Sequence, residues 1–205
     1  MHWDHVGEPR DFLRSTFVVG HGSLAVLAGN SATLRGSHSF FEPDLLDLDR
    51  VVELPDPSNL SQKKGGAGFQ EPFCGPWNVV DGSPPVLDVF GDGSLYVVDA
   101  PGHLPGHINL LARVSDENPD SSSSSRWIYL AGDACHDRRI LRGDKSIGEW
   151  RDAAGHICCI HADRAKAEET IERIRLLERN GVEVIFAHDV EWESNVQNRD
   201  RFFSC

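Results

Sequence analysis

Hydrophobic and polar positions alternate along this chain in short bursts, with a single long helical stretch near the end. "TFVVG" (16–20) is apolar and β-branched, and "VLDVF" (86–90) and "LYVVDA" (95–100) repeat the pattern on either side of "GDGS" (91–94). The last three segments predict a hairpin, with Asp92-Gly93 supplying the positive φ angles of a tight turn. "INLLARV" (108–114) and "RWIYLAG" (126–132) read as two further strands, and the apolar run "VEVIFA" (182–187) as a buried one. One helix is well specified: Asp163 caps "RAKAEETIERIRLLER", and Ala167, Ile171, Ile174 and Leu177 recur on one face. Glu169 and Arg173 add an i,i+4 pair, and Asn180-Gly181 ends the helix with a left-handed residue. Strands followed by a helix that returns to a strand predict sheets covered by helices, an α/β or α+β fold.

Two segments break the pattern. "DPSNLSQKKGGAGFQEP" (56–72) is rich in Gly, Pro and polar residues, and "SDENPDSSSSS" (115–125) is a low-complexity polar insertion. Both are expected on the surface between strands, because the segments around them belong together, so residues 1–205 are expected to form one domain. No internal repeat is present.

Composition narrows the function classes. The chain has 205 residues, 40% of them hydrophobic, with a mean hydropathy of −0.35. That suffices for a sizeable core. Thirty-two acidic against 20 basic residues leave a net charge of −12, which argues against nucleic-acid partners, a nuclease role and anionic membranes. No apolar run reaches the roughly 18 residues needed to span a bilayer. With no signal-peptide pattern, a cytoplasmic location is expected. Five cysteines without CxxC spacing fit reduced thiols, and the adjacent Cys158 and Cys159 read as half-buried strand or loop residues.

Chemistry-bearing residues appear where strands stop. His103 follows "LYVVDAPG", Asp133 follows "WIYLAG", and His188 follows "VEVIFA". Open α/β sheets place ligand sites at such strand ends. The opening "MHWDHVGEP" adds His2, Asp4 and His5. Imidazoles and carboxylates without a thiolate suit zinc, manganese or iron, in catalytic rather than closed structural sites. Gly102 and Gly106 are expected to let the backbone bring the His103 ring close to a metal, with Pro105 stiffening the turn and His107 supporting it. His21, His38, His156 and His161 read as ordinary exposed or hydrogen-bonded side chains. Phe73, Trp77 and Trp192 are candidate aromatic pocket walls, though such residues are more often core or surface.

In this order, "HWDH", "PGHLPGH", "GDA" and "FAHD" resemble the metallo-β-lactamase superfamily, and "DAPGHLPGHINLL", "GDA" and "FAHDVE" resemble its N-acyl-homoserine lactonase-like branch. The resemblance covers nearly the whole chain. It implies an αβ/βα four-layer sandwich, here lacking its first strands, and a two-metal site expected to hold two zinc ions. His2 and His103 are implied as ligands of one ion, Asp4, His5 and His188 of the other, with Asp133 bridging both and Asp4 also moving protons. Two departures stand out. His136 occupies the place where a tyrosine commonly lies in lactonases, which leaves it a role as a donor to an oxyanion. The superfamily's HxHxDH pattern also has a His two residues before His2 and strands ahead of it, none of which this sequence includes. The implied activity is opening of a small cyclic ester (lactone). The alternatives are a lactam hydrolase acting on xenobiotic or plant defence compounds, in keeping with a fungal flavour of the sequence, or a catalytically impaired remnant lacking the first ligand. Neither metal identity nor oligomeric state is fixed by the pattern.

Overall fold

The computed structural model describes residues 2–30, 34–35, 38, 41–60, 76–79, 83–114, 126–199 and 201. Among them a five-stranded sheet forms the centre. Its strands are β3 (Val86–Asp88), β4 (Leu95–Asp99), β5 (Ile108–Val114), β6 (Arg126–Leu130) and β9 (Glu183–Ile185). β3 through β6 are antiparallel neighbours, and β9 joins β6 in parallel, with Tyr129 opposite Val184. All five follow the apolar runs of the sequence.

Both faces of this sheet are covered, and the period-2 pattern decides which residue faces which way. Tyr96, Val98, Leu111, Tyr129 and Val184 pack on one side with Ala167, Ile171 and Ile174 of α3 (Arg164–Arg179) and Leu141 of α2 (Arg138–Arg142). Leu87, Leu95, Val97, Ile108 and Leu110 pack on the other side with Val18, Leu54 and Trp77. Trp77 is therefore core, 2% exposed, its Nε1 donating to the Pro55 carbonyl at 2.8 Å. Trp192 instead donates to Glu183 of β9, and Phe73 lies outside the described residues.

Helix α3 matches its sequence reading: Asp163 accepts from the Lys166 amide, Glu169 reaches Arg173 at 3.9 Å, and Gly181 has φ +87°. The hairpin tip departs from expectation. Gly91 and Gly93 carry the positive φ angles, and Val89 already bonds Leu95, so the loop is wider than a two-residue turn. Asp88 organises it by accepting from the amides of Gly91 and Gly93.

Several short elements complete the structure, and among them only the strand within "TFVVG" was clearly legible in the sequence. β1 (Phe17–Val19) pairs in parallel with β2 (Val51–Glu53), and α1 (Ser23–Leu27) packs beside them on Val19 and Leu46. β7 (Glu149–Arg151) and β8 (Ile157–Cys159) make a hairpin that leads to His161, with Cys158 buried and Cys159 partly so. Cys135, Cys158 and Cys159 are free thiols. α4 (Val190–Ser194) and α5 (Val196–Arg199) follow β9. Residues 61–72 of the first irregular segment and the whole serine-rich stretch 115–125 lie outside the described residues.

Candidate metal centre

Four segments bring the expected site residues to one end of the sheet. A short 3-10 turn, Trp3–His5, is closed by the His5 amide on the His2 carbonyl and presents Asp4 and His5. His103 comes from the turn after β4, which is bonded to the start of α3. The carbonyls of His103 and Gly102 accept from Ala162 and Asp163, and Thr170 donates to the Pro101 carbonyl. The two glycines of this turn serve its packing. A Cβ on Gly102 would sit 2.3 Å from the Ala167 nitrogen, and one on Gly106 2.2 Å from Ser23 Oγ. They allow close packing against α3 and the α1 segment, and it is this packing that fixes where His103 points.

Asp133 lies in a 3-10 turn, Gly132–Ala134, beyond β6. Its amide donates to His107 Nε2 at 3.3 Å, while His107 Nδ1 donates to the Ala100 carbonyl at 3.1 Å. His107 thus ties the Asp133 turn to the end of β4. His188 follows β9, and the next residue, Asp189, is held by Arg138.

The distances centre on the Asp133 carboxylate. Its Oδ2 lies 2.8 Å from His5 Nε2 and 3.2 Å from His103 Nε2, and its Oδ1 lies 3.3 Å from His188 Nε2 and 3.5 Å from His136 Nε2. His2 Nδ1 is 3.2 Å from His103 Nε2. Asp4 Oδ2 is 3.5 Å from His5 and 3.6 Å from His188. Among the described residues, ligand-competent atoms fall into three groups, each within 4.8 Å: His2, His103 and Asp133; Asp4, His5 and His188; Asp133, His136 and His188. All eight positions singled out on sequence as ligands, catalysts or the His103 support therefore meet in one place.

Two more were missed. His38 and His161, read as ordinary histidines, are buried in the same cluster, with ring centroids 5.5 and 5.4 Å from that of His103. Neither has a periodic or strand-end signal. His21 and His156 stay half-exposed, beside Asp56 and Asp152 respectively.

Burial is the main cause holding His2 and His136 at about 4 and His161 at about 3, with neighbouring histidines adding to it. Burial likewise holds His107 at about 4. These rings are neutral at pH 7, the form that offers a lone pair to a metal. Burial alone would raise the Asp133 carboxyl, but its hydrogen bond and attraction to His103 outweigh that and keep it well below the usual range. Asp133 Oδ1 is buried and makes no hydrogen bond. A buried carboxylate oxygen left without a hydrogen-bond donor and facing several imidazoles fits a cation between them. A recess of about 280 Å³ opens beside the cluster, walled by Val18, Leu104 and Ile108.

No family model matches the chain. Among curated proteins, a cytochrome P450 monooxygenase, mpaDE' of Penicillium brevicompactum, is 31% identical over 95% of this chain and 22% of its own length. The gamma-lactamase MBL2 of Gibberella moniliformis is 28% identical over 66% of this chain and 46% of its own. The chain thus spans less than half the length of these relatives. In three dimensions it is similar to an N-acyl homoserine lactone hydrolase solved with N-hexanoyl-L-homoserine at its catalytic metal centre. The TM-score is 0.55 at 15% identity, covering 94% of this chain and 54% of that one. The chain thus shares the fold of an N-acyl homoserine lactone hydrolase and is similar in sequence to a gamma-lactamase, and its ordered His/Asp cluster lies at the end of the sheet, in keeping with a resemblance to the lactonase-like branch of the metallo-β-lactamase superfamily.

Proposed function

We propose that this chain carries the reaction centre of a metal-dependent hydrolase that opens a small cyclic ester, a lactone. One observation carries the reading: a single buried carboxylate, Asp133, faces two imidazoles on each of its oxygens. Two ions, zinc first and manganese or iron as alternatives, suit this donor set. His2 and His103 would hold one ion, Asp4, His5 and His188 the other, and Asp133 both. Bound there, the ions supply a hydroxide near neutral pH and polarise the carbonyl under attack.

The chain's own residues position and move protons. Asp133, ionised by its setting, and His107, bonded to its backbone, keep the centre fixed. Asp4 is one-third exposed at the rim, between His5 and His188, where it can pass a proton to the departing alkoxide. His136 faces the same Asp133 oxygen as His188 and is placed to donate to the substrate oxygen that gains charge. The recess of Val18, Leu104 and Ile108 suits the apolar part of a small molecule.

The likeness to a gamma-lactamase favours a second reading, in which a cyclic amide is opened by the same steps, with nitrogen as the leaving atom. The deciding experiment measures metal content together with hydrolysis of a matched γ-lactone and γ-lactam. Near two equivalents of metal and faster lactone opening support the first reading, and faster lactam opening supports the second. A metal-loaded chain that opens neither ring defeats both, and one equivalent or none points to an impaired remnant.

A further inference from the structure

His38 stands 36 residues from His2 in the chain, yet its Nδ1 lies 2.9 Å from His2 Nε2. The two rings stack, with centroids 4.9 Å apart at 24°, and His38 meets His103 edge-on at 84°. His38 is 2% exposed. It faces the nitrogen of His2 opposite to the one beside His103, and it enters none of the three ligand-competent groups. Its place is behind a ligand, one step away from the metal.

We propose that His38 is the positioning residue of His2, accepting the Nε2 proton so that Nδ1 keeps its lone pair toward His103 and Asp133. The inference rests on the two-metal reading above. A ligating imidazole carries its proton on the other nitrogen, and the partner of that N–H sets both tautomer and ring orientation. Inside a buried cluster, a His2 N–H without an acceptor is disfavoured, so the acceptor selects the tautomer. The match matters more here because the group of His2, His103 and Asp133 has three side chains, so a misplaced His2 removes a large share of the donor set. The stacked geometry prevents the His2 ring from swinging while the hydrogen bond selects which nitrogen points inward.

The test compares His38→Phe, which keeps a stacking ring but no acceptor, with His38→Asn, whose side-chain oxygen can replace Nδ1. Zinc affinities are measured by chelator competition on the full chain, and a His2→Ala variant identifies which dissociation constant belongs to the His2 site. His38→Phe is expected to weaken that site about 10–100-fold and to leave the site of Asp4, His5 and His188 within a few-fold. His38→Asn is expected to recover most of the loss. Cobalt-substituted protein is expected to show an altered visible spectrum for the Phe variant alone. Wild-type affinity in His38→Phe, equal weakening at both sites, or an Asn variant as weak as the Phe variant overturns the proposal while leaving the metal reading intact. Failure of the unaltered chain to take up metal overturns both.

Discussion

Arg138 Nε lies 3.1 and 2.9 Å from the two carboxylate oxygens of Asp189, the residue directly after His188. The same guanidinium donates to Glu178 at 2.6 Å and to the Val184 carbonyl at 2.5 Å. One side chain from α2 thereby joins α3, β9 and the His188 turn. Asp189 also caps α4 through the Trp192 amide. Arg138→Met would leave a nearly buried carboxylate unpaired, an arrangement that costs about 3–5 kcal/mol when fully enclosed. Because Arg138 is partly open to water, we expect roughly 2–3 kcal/mol in urea unfolding. Weaker metal binding at the His188 site should accompany it.

Gly102 tests the clamp between the His103 turn and α3. Its φ is +127°, and a Cβ there would strike the backbone nitrogen and Cα of Ala167 at 2.3 and 2.5 Å. Neither atom can move without shifting the helix. Gly102→Ala is expected to lower stability by about 2–4 kcal/mol and to reduce soluble expression. Gly7→Ala, with φ +57° and nothing within 4 Å, should cost less.

His136 stands where it can be tested by kinetics. His136→Phe removes the donor near Asp133 and keeps a ring of similar size. Under the hydrolase reading, kcat falls about 10²–10³-fold while KM changes little. A change confined to KM would show that His136 only shapes the pocket.

Asp99 gives a pH signature separate from the metal ligands. Burial, opposed in part by Arg173, raises its carboxyl to about 6. A folded-state value above the unfolded 3.8 means that the penalty is absent below about pH 4, grows as pH rises through 4 to 6, and is full above. Asp99→Asn should therefore stabilise the chain by about 1–2 kcal/mol at pH 8, allowing for solvent access, and by nothing at pH 4. Thermal melts at both pH values decide it.

The metal-free chain should also lose stability in acid. His2, His107, His136 and His161 take up protons near pH 6.5 when unfolded but only near 3–4 when folded. Their contribution is full above about pH 6.5 and is lost as pH falls toward 4. Tm values across that range check the slope, and bound zinc should flatten its upper part because the ligands are then held deprotonated.

The sequence by itself determined the elements whose signal is local: the five strands of the central sheet and helix α3. Their apolar periodicity is the same feature that packs them, so Ala167, Ile171 and Ile174 face Val98 and Tyr129 as their spacing requires. It also determined the ligand-competent residues at the ends of β4, β6 and β9 and in the opening turn, because their order along the chain follows the order of the strands. Only the tertiary structure decided the rest. β2, β7 and β8 carry no strand-length apolar run, and β2 gains its partner, β1, from a segment 34 positions earlier in the chain. His38 and His161 sit in irregular stretches where one histidine carries no directional information. Their place behind His2 and beside His136 follows from contacts between residues 25–36 positions apart, made as the sheet and its covering segments close over one carboxylate.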